Sequence, residues 1–124
     1  MIGYVTLGTN DLPKAAAFYD SLLQEVGAKR LWEFPRGIAW GVAQDKPSLC
    51  VMKPFDGNPA TVGNGVMVAL AVGSREEVDR VHAKALELGG KDEGAAGPRG
   101  DGFYAGYFRD LDGNKLCVYR MGPA

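Results

Sequence analysis

The sequence predicts an α+β fold made of two βαβββ modules in one domain, and three observations lead to this prediction. The same order of strand-like and helix-like patterns occurs twice along the 124 residues. Two apolar stripes have helical spacing, and each follows a residue that can cap a helix N-terminus. The chain closes with an aromatic β-hairpin over residues 103–120, because Asp112-Gly113 is typical of tight turns between strands.

The first module begins with a strand over residues 2–8. A helix follows, in which Asp11 is the predicted N-cap and Pro13 fits the first turn, where its missing N–H has no partner. The apolar stripe of this helix consists of Ala15, Phe18, Tyr19, Leu22, Leu23 and Val26. Gly27 is expected to end the helix in the left-handed conformation. Strands are then predicted at residues 29–34, 38–42 and 49–53.

The second module repeats this order, starting with a strand over residues 66–72. Ser74 and Glu77 have the spacing of a capping box, and Gly89-Gly90 end the helix. Its apolar stripe consists of Val78, Val81, Ala85 and Leu88. The glycine-rich stretch 89–102 is predicted to be a loop, and the closing hairpin aims Cys117 at one face of the sheet.

The register of the repeat defines the modules. Gly27 matches Gly90 at a spacing of 63, and Cys50 matches Cys117 at 67. The same offset of 67 makes Trp40 equivalent to Tyr107. We therefore predict one domain, 1–124, with module one at 1–58 and module two at 64–124. Because a chain of about 60 residues buries only about 60% of its unfolded surface, the modules should depend on each other.

Composition excludes several classes of function. The formal net charge is −1, with 23% charged residues, so there is no basic surface that would indicate a nucleic-acid partner. No apolar run approaches the roughly 20 residues of a membrane span. The first residues read as a strand and not as a leader peptide, which leads us to expect a cytoplasmic protein. Two cysteines do not make a disulfide framework.

Two motifs resemble those of the vicinal oxygen chelate superfamily, which includes glyoxalase I, bleomycin-resistance proteins and extradiol dioxygenases. The first is Asn10-Asp11-Leu12 ahead of Phe18-Tyr19, and the second runs from Phe108 to Asn114 as Phe-Arg-Asp-Leu-Asp-Gly-Asn. The resemblance covers the whole chain and implies a glyoxalase-like fold. In that fold the two modules form a cupped mixed β-sheet around a small-molecule site, with the helices outside. It also implies a homodimer.

The resemblance further implies where a metal would be held. In metal-using members the ligands, usually His, Glu or Gln, come from the first and last strands of each module. The corresponding positions here are Tyr4, Cys50, Met67 and Cys117. None of them is the imidazole or carboxylate that a hard or borderline divalent ion prefers. We therefore expect no metal and no cofactor.

The cysteines leave three interpretations open. They are small buried apolar residues, a reactive thiol pair, or a soft-metal site with Met67. His82, the single histidine, is expected at the contact between helix and sheet, outside the cup. Arg99 is either an exposed loop residue or the partner of an anionic ligand. The predicted ligand pocket consists of Tyr4, Trp40, Cys50, Met67, Arg99, Tyr104, Tyr107 and Cys117.

The leading hypothesis for function is a glyoxalase- or bleomycin-resistance-like protein. It would bind a small, partly apolar molecule in a cup that lacks the usual metal ligands. The rival is an enzyme, a divergent metal- or thiol-dependent lyase or dioxygenase resembling lactoylglutathione lyase. A third interpretation is a subunit that only pairs with partners. The sequence leaves open the identity of the ligand, whether any reaction is catalysed, and whether the cup closes within a chain or across a dimer.

Overall fold

The computed structural model describes residues 1–123 and has the predicted α+β architecture. Module one contains β1 (Tyr4–Gly8), α1 (Leu12–Gln24), β2 (Lys29–Phe34), β3 (Gly37–Gly41) and β4 (Ser48–Met52). Module two contains β5 (Val68–Ala71), α2 (Arg75–Glu87), β6 (Lys91–Pro98), β7 (Phe103–Arg109) and β8 (Lys115–Met121). The βαβββ order is therefore confirmed in both halves.

Each module folds its four strands into a sheet of its own. The strand orders are β1-β4-β3-β2 and β5-β8-β7-β6. In each sheet the first strand pairs in parallel with the last strand, and the remaining pairs are antiparallel. The two sheets are separate: β1 is an edge strand of the first, β5 is an edge strand of the second, and no strand of one sheet pairs with a strand of the other among the described residues. The core lies between each helix and its sheet, with Phe18, Leu22 and Val51 in module one and Val81, Phe108 and Val118 in module two.

Both helices begin at the predicted caps. The Asp11 side chain accepts a hydrogen bond from Lys14 N at 3.1 Å, and Ser74 Oγ accepts one from Glu77 N at 3.2 Å. The return bond of the capping box is displaced by one residue, since the Glu77 carboxylate accepts from Gly73 N. Each helix has 13 residues. Within residues 1–123, neither is long and apolar enough to cross a membrane.

The prediction that residues 89–102 form a loop is wrong for residues 91–98. Residues Lys91–Pro98 form β6, which pairs antiparallel with β7 and shifts register twice, between Asp92 and Gly94 and between Gly94 and Gly97. Backbone hydrogen bonds to β7 stabilise β6 as a strand, although its sequence has few of the hydrophobic and β-branched residues that are typical of strands. The irregular register is typical of glycines in strands.

The equivalence of Trp40 and Tyr107 is also wrong. Ala39 lies opposite Cys50 in β4, whereas Tyr107 lies opposite Cys117 in β8. Trp40 instead matches Phe108, since these two residues lie opposite Leu49 and Leu116. The connection from β3 to β4 is one residue longer than the one from β7 to β8. A shift of one residue moves a side chain to the other face of a strand.

The two modules are joined by hydrogen bonds around the turn between β7 and β8. The Tyr19 hydroxyl on α1 donates to the buried Asp110 carboxylate at 2.6 Å. Asn114 Nδ2 donates to Gly8 O and to Asp110, both at 2.9 Å. The Asp112 carboxylate accepts from Asn10 N at 3.0 Å. Both motifs behind the family resemblance therefore meet here, and we call this network the module clasp.

Candidate ligand-binding site

Each sheet has one face covered by its helix and a second face, which we call the open face. Alternate residues of a strand point to opposite faces. In β7, Phe108 belongs to the core, and a Cβ on Gly106 would lie 2.9 Å from the His82 ring of α2. Tyr107 and its cross-strand partner Cys117 therefore lie on the open face of module two. By the same argument Ala39 and Cys50 lie on the open face of module one.

The open face of module two carries two cations beside one aromatic ring. The Arg99 guanidinium carbon and the Lys115 ammonium nitrogen each lie 5.5 Å from the centroid of the Tyr107 ring. At this distance a cation is attracted by the ring quadrupole. Cys117 lies directly across the strands from Tyr107. Three of the eight predicted pocket residues, Arg99, Tyr107 and Cys117, are thus brought together.

Glycines in β6 provide the space for Arg99. A Cβ on Gly94 would lie 3.1 Å from Tyr107 Cδ2 and 3.4 Å from Arg99 Nη2, and a Cβ on Gly97 would lie 3.4 Å from Arg99 Nη1. The guanidinium donates hydrogen bonds to Ala95 O at 2.5 Å and to Gly97 O at 3.0 Å. The bends of β6 therefore hold Arg99 on the open face beside Tyr107.

The open face of module one is more apolar. Its central row runs across the strands as Thr6, Cys50, Ala39 and Trp32. The equivalent row in module two is Ala69, Cys117, Tyr107 and Gly94. Each row thus has one large aromatic residue, on β2 in module one and on β7 in module two. Tyr4 lies two residues before Thr6 on the same face and is 60% exposed.

The two cysteines are free and buried, with exposed fractions of 2% and 1%. Burial raises the pKa of the Cys50 thiol. Burial also raises the pKa of Cys117, although the Tyr107 side chain and the charges of Arg99 and Lys115 act in the opposite direction. A raised pKa lowers the thiolate fraction at neutral pH, and the thiolate is the reactive form. These environments favour the interpretation as small buried residues.

Three predicted pocket residues lie elsewhere. Trp40 is buried on the helix face, where its Nε1 donates to Asp20 Oδ1 at 2.9 Å. The Tyr104 hydroxyl donates to Asp79 of α2 at 2.7 Å, so it also faces the helix. Met67 comes directly before β5 and is 43% exposed. Trp40 and Met67 line an apolar cleft of about 660 Å³, together with residues from the end of α1, the connection between β3 and β4, and β5.

This cleft and the open face of module two are different places. The polar side chains that line the cleft are those of Ser48 and Lys46, whereas the open face has a ring flanked by two cations. Binding sites combine apolar walls with a few placed polar groups. The two cations beside one aromatic ring are the reason why we regard the open face of module two as the better candidate site.

His82 lies between α2 and the sheet and is buried. Its Nε2 is 3.1 Å from both Asp92 Oδ1 and Tyr107 O. The imidazole is therefore on the helix face of the sheet, as the sequence predicts, and away from Cys117.

The residues at the expected metal positions do not fit the ion that the family uses. They offer a phenol, a thioether and two buried thiols, and a hard divalent ion prefers imidazole and carboxylate. Among residues 1–123, no three His, Cys, Asp or Glu side chains come together as metal ligands would. The side chains at these positions are therefore unsuited to that ion.

Lys115 and Trp32 lie on the open faces but are absent from the predicted ligand pocket. Lys115 is two residues before Cys117, so strand alternation alone could have placed it on the same face. Trp32 required the pairing of β2 with β3, in which it lies opposite Ala39. That pairing contains a register shift between Arg30 and Trp32, which a sequence pattern does not reveal.

Two βαβββ modules, each with one sheet face covered by a helix and the other open, define a class of small α+β proteins. A family model described as the Glyoxalase/Bleomycin resistance protein/Dioxygenase superfamily matches residues 1–118. The chain therefore belongs to this superfamily. A search of the curated proteins found no match.

Solved structures agree with this assignment. A glyoxalase/bleomycin resistance protein from Albidiferax ferrireducens T118 is 32% identical, with a TM-score of 0.88 over 97% of this chain and 98% of that chain. A hypothetical protein from S. aureus is 26% identical, with a TM-score of 0.71 over 97% and 96% of the two chains. A lactoylglutathione lyase from Agrobacterium tumefaciens is 21% identical, with a TM-score of 0.70 over 97% and 92%. This last similarity concerns the fold alone.

Proposed function

We propose that this protein binds a small, partly apolar molecule on the open face of module two, without the metal ligands of its superfamily. Both modules act as one domain in this proposal. The observation that carries it is the open face of module two, where Arg99 and Lys115 flank Tyr107 beside buried Cys117. An aromatic surface with few polar groups is typical of small-molecule sites.

The experiment that tests this proposal combines metal analysis with ligand binding. Protein purified without chelators is expected to contain well below one equivalent of transition metal per chain by mass spectrometry. Apolar and aromatic compounds that bind are expected to shift the amide resonances of β7 and β8, with no change on addition of chelator. One equivalent of tightly held metal, or binding that a chelator abolishes, would contradict the proposal.

The rival is an enzyme that uses the cysteines directly. This interpretation requires a reactive thiol, and the raised pKa values of Cys50 and Cys117 argue against such reactivity. Replacing Cys50 and Cys117 together by Ser is therefore expected to leave ligand affinity within about threefold. If the double variant loses binding or a measurable turnover while its thermal unfolding is unchanged, the thiol enzyme becomes the better interpretation. Single Cys→Ala variants serve as controls, because they remove the thiol without burying the hydroxyl that Ser introduces.

We also propose a homodimer. Large apolar side chains are exposed in the open face of module one and near the cleft, among them Tyr4, Trp32 and Met67. Large exposed apolar patches mark sites of association. Multi-angle light scattering is expected to give twice the chain mass at micromolar concentration. Trp32→Glu is expected to weaken the dimer, because it places a charge in the open face of module one. A monomer at that concentration would refute the proposal.

A further inference from the structure

We propose that Arg99 and Lys115 form a subsite for a carboxylate, so that the ligand is an aromatic or apolar acid. This inference rests on the proposed function and names the class of ligand for the same open face. It combines three observations: the free donors of Arg99, the local excess of positive charge, and the apolar surface beside the cations.

The Arg99 guanidinium retains donors for a ligand. Its Nη1 donates to Gly97 O and Pro98 O, and its Nη2 donates to Ala95 O. A guanidinium has five N–H donors. In the part of the chain that the structure describes, Nε–H and one Nη2–H therefore have no acceptor. A carboxylate accepts hydrogen bonds from two such donors at once.

Arg99 is also fixed before a ligand arrives. Its three backbone acceptors lie on β6, and its guanidinium lies over the Tyr107 ring. An ordered side chain loses less rotamer entropy when it binds. Held in this way, Arg99 is better suited to one defined anion than a free surface arginine would be.

Positive charge exceeds negative charge on this face. Arg109 is paired with Glu93 at 2.5 Å, and the hydrogen bond from Arg109, followed by its charge, lowers the pKa of Glu93. Lys115 contributes to the same lowering but makes no ion pair among residues 1–123. Arg99 likewise has no carboxylate partner there. Two cations beside Tyr107 thus remain without an ion pair among residues 1–123 and add to the attraction for an acidic ligand.

Apolar surface continues from Tyr107 along the open face. The rings of Phe103 and Tyr119 stack at a centroid distance of 5.6 Å with 26° between their planes. Ala105 lies between Tyr107 and Phe103 in β7 and opposite Tyr119 in β8, and it is fully buried, so the accessible apolar surface here is that of the aromatic rings. A flat apolar body can rest against these rings while its acidic group reaches the cations.

Calorimetric titration of the full chain with two matched probes tests the inference. The probes are 2-naphthoate and its neutral analogue 2-naphthylmethanol. Wild-type protein is expected to bind 2-naphthoate at least tenfold more tightly. Arg99→Gln is expected to weaken 2-naphthoate binding by about tenfold to a hundredfold, as loss of a charged hydrogen bond does. Lys115→Gln is expected to weaken it by a smaller factor, and in both variants the loss of affinity should be larger for 2-naphthoate than for the neutral probe.

Arg80→Gln is the matched control, since Arg80 lies on α2 and pairs with Glu25. It should bind both probes as wild type does. Equal wild-type affinity for the two probes would overturn the carboxylate subsite and leave the proposed apolar site standing. Absence of 2-naphthoate binding at millimolar concentration, or equal weakening in Arg80→Gln, would also overturn the subsite. Binding of the neutral probe to the open face reports separately on the proposed function.

Discussion

Replacing Asp110 by Ala is expected to lower the free energy of unfolding by about 3–5 kcal/mol, because it removes the centre of the module clasp. The buried carboxylate accepts hydrogen bonds from the Tyr19 hydroxyl, from the Asn114 side chain and from the backbone N–H groups of Asp112 and Asn114. Without it, the Tyr19 hydroxyl is left buried and unpaired. Burial, followed by the charge of Asp110, raises the pKa of Tyr19 well above its ordinary value, so this hydroxyl stays a donor.

Urea unfolding followed by tryptophan fluorescence measures this loss. Asp101→Ala, in the exposed turn before β7, is the control and is expected to change the free energy of unfolding by less than about 0.5 kcal/mol. Tyr19→Phe removes one bond of the clasp and is expected to cost about 1–2 kcal/mol. A loss below about 1 kcal/mol for Asp110→Ala would mean that the clasp does not hold the modules together.

Replacing Trp40 by Ala is expected to cost about 3–5 kcal/mol, the usual range for a large aromatic residue in a core. Trp40 is 1% exposed, its ring centroid is 5.6 Å from that of Tyr19, and its indole N–H reaches Asp20. Tyr107→Ala is expected to cost less than about 1.5 kcal/mol, since Tyr107 lies half-buried on the open face. Its main effect should be loss of ligand binding.

The same unfolding measurement, together with ligand titration of both variants, decides between the two roles. Phe108→Ala serves as a second core variant, because Phe108 is the true counterpart of Trp40 and is fully buried. It should be as unstable as Trp40→Ala. If Tyr107→Ala were the more destabilised protein and Trp40→Ala lost only ligand binding, the assignment of faces would be refuted.

The clasp explains why the family motifs indicate the fold better than the activity. Asp110 and Asn114, which carry the second motif, bind Tyr19 and Gly8 of the first module. These residues form structural hydrogen bonds between the modules. The candidate ligand residues lie on the opposite side of the strands. A chain can therefore keep both motifs while the residues of the open faces change.

The sequence by itself determined the order of the elements, the helix caps and the final hairpin. These depend on local signals: Asp11 and Ser74 at helix starts, Gly27 with its positive φ at a helix end, and Asp112-Gly113 in the turn. Only the tertiary structure decided that Trp40 faces the helix, while Tyr107 lies on the open face of its sheet. One extra residue between β3 and β4 reverses the face, and strand pairing fixes that register. Pairing with β7 also makes part of the glycine-rich stretch a strand, β6, and places Arg99 over Tyr107. The sequence does not predict this strand, because backbone hydrogen bonds do not depend on a pattern of side chains.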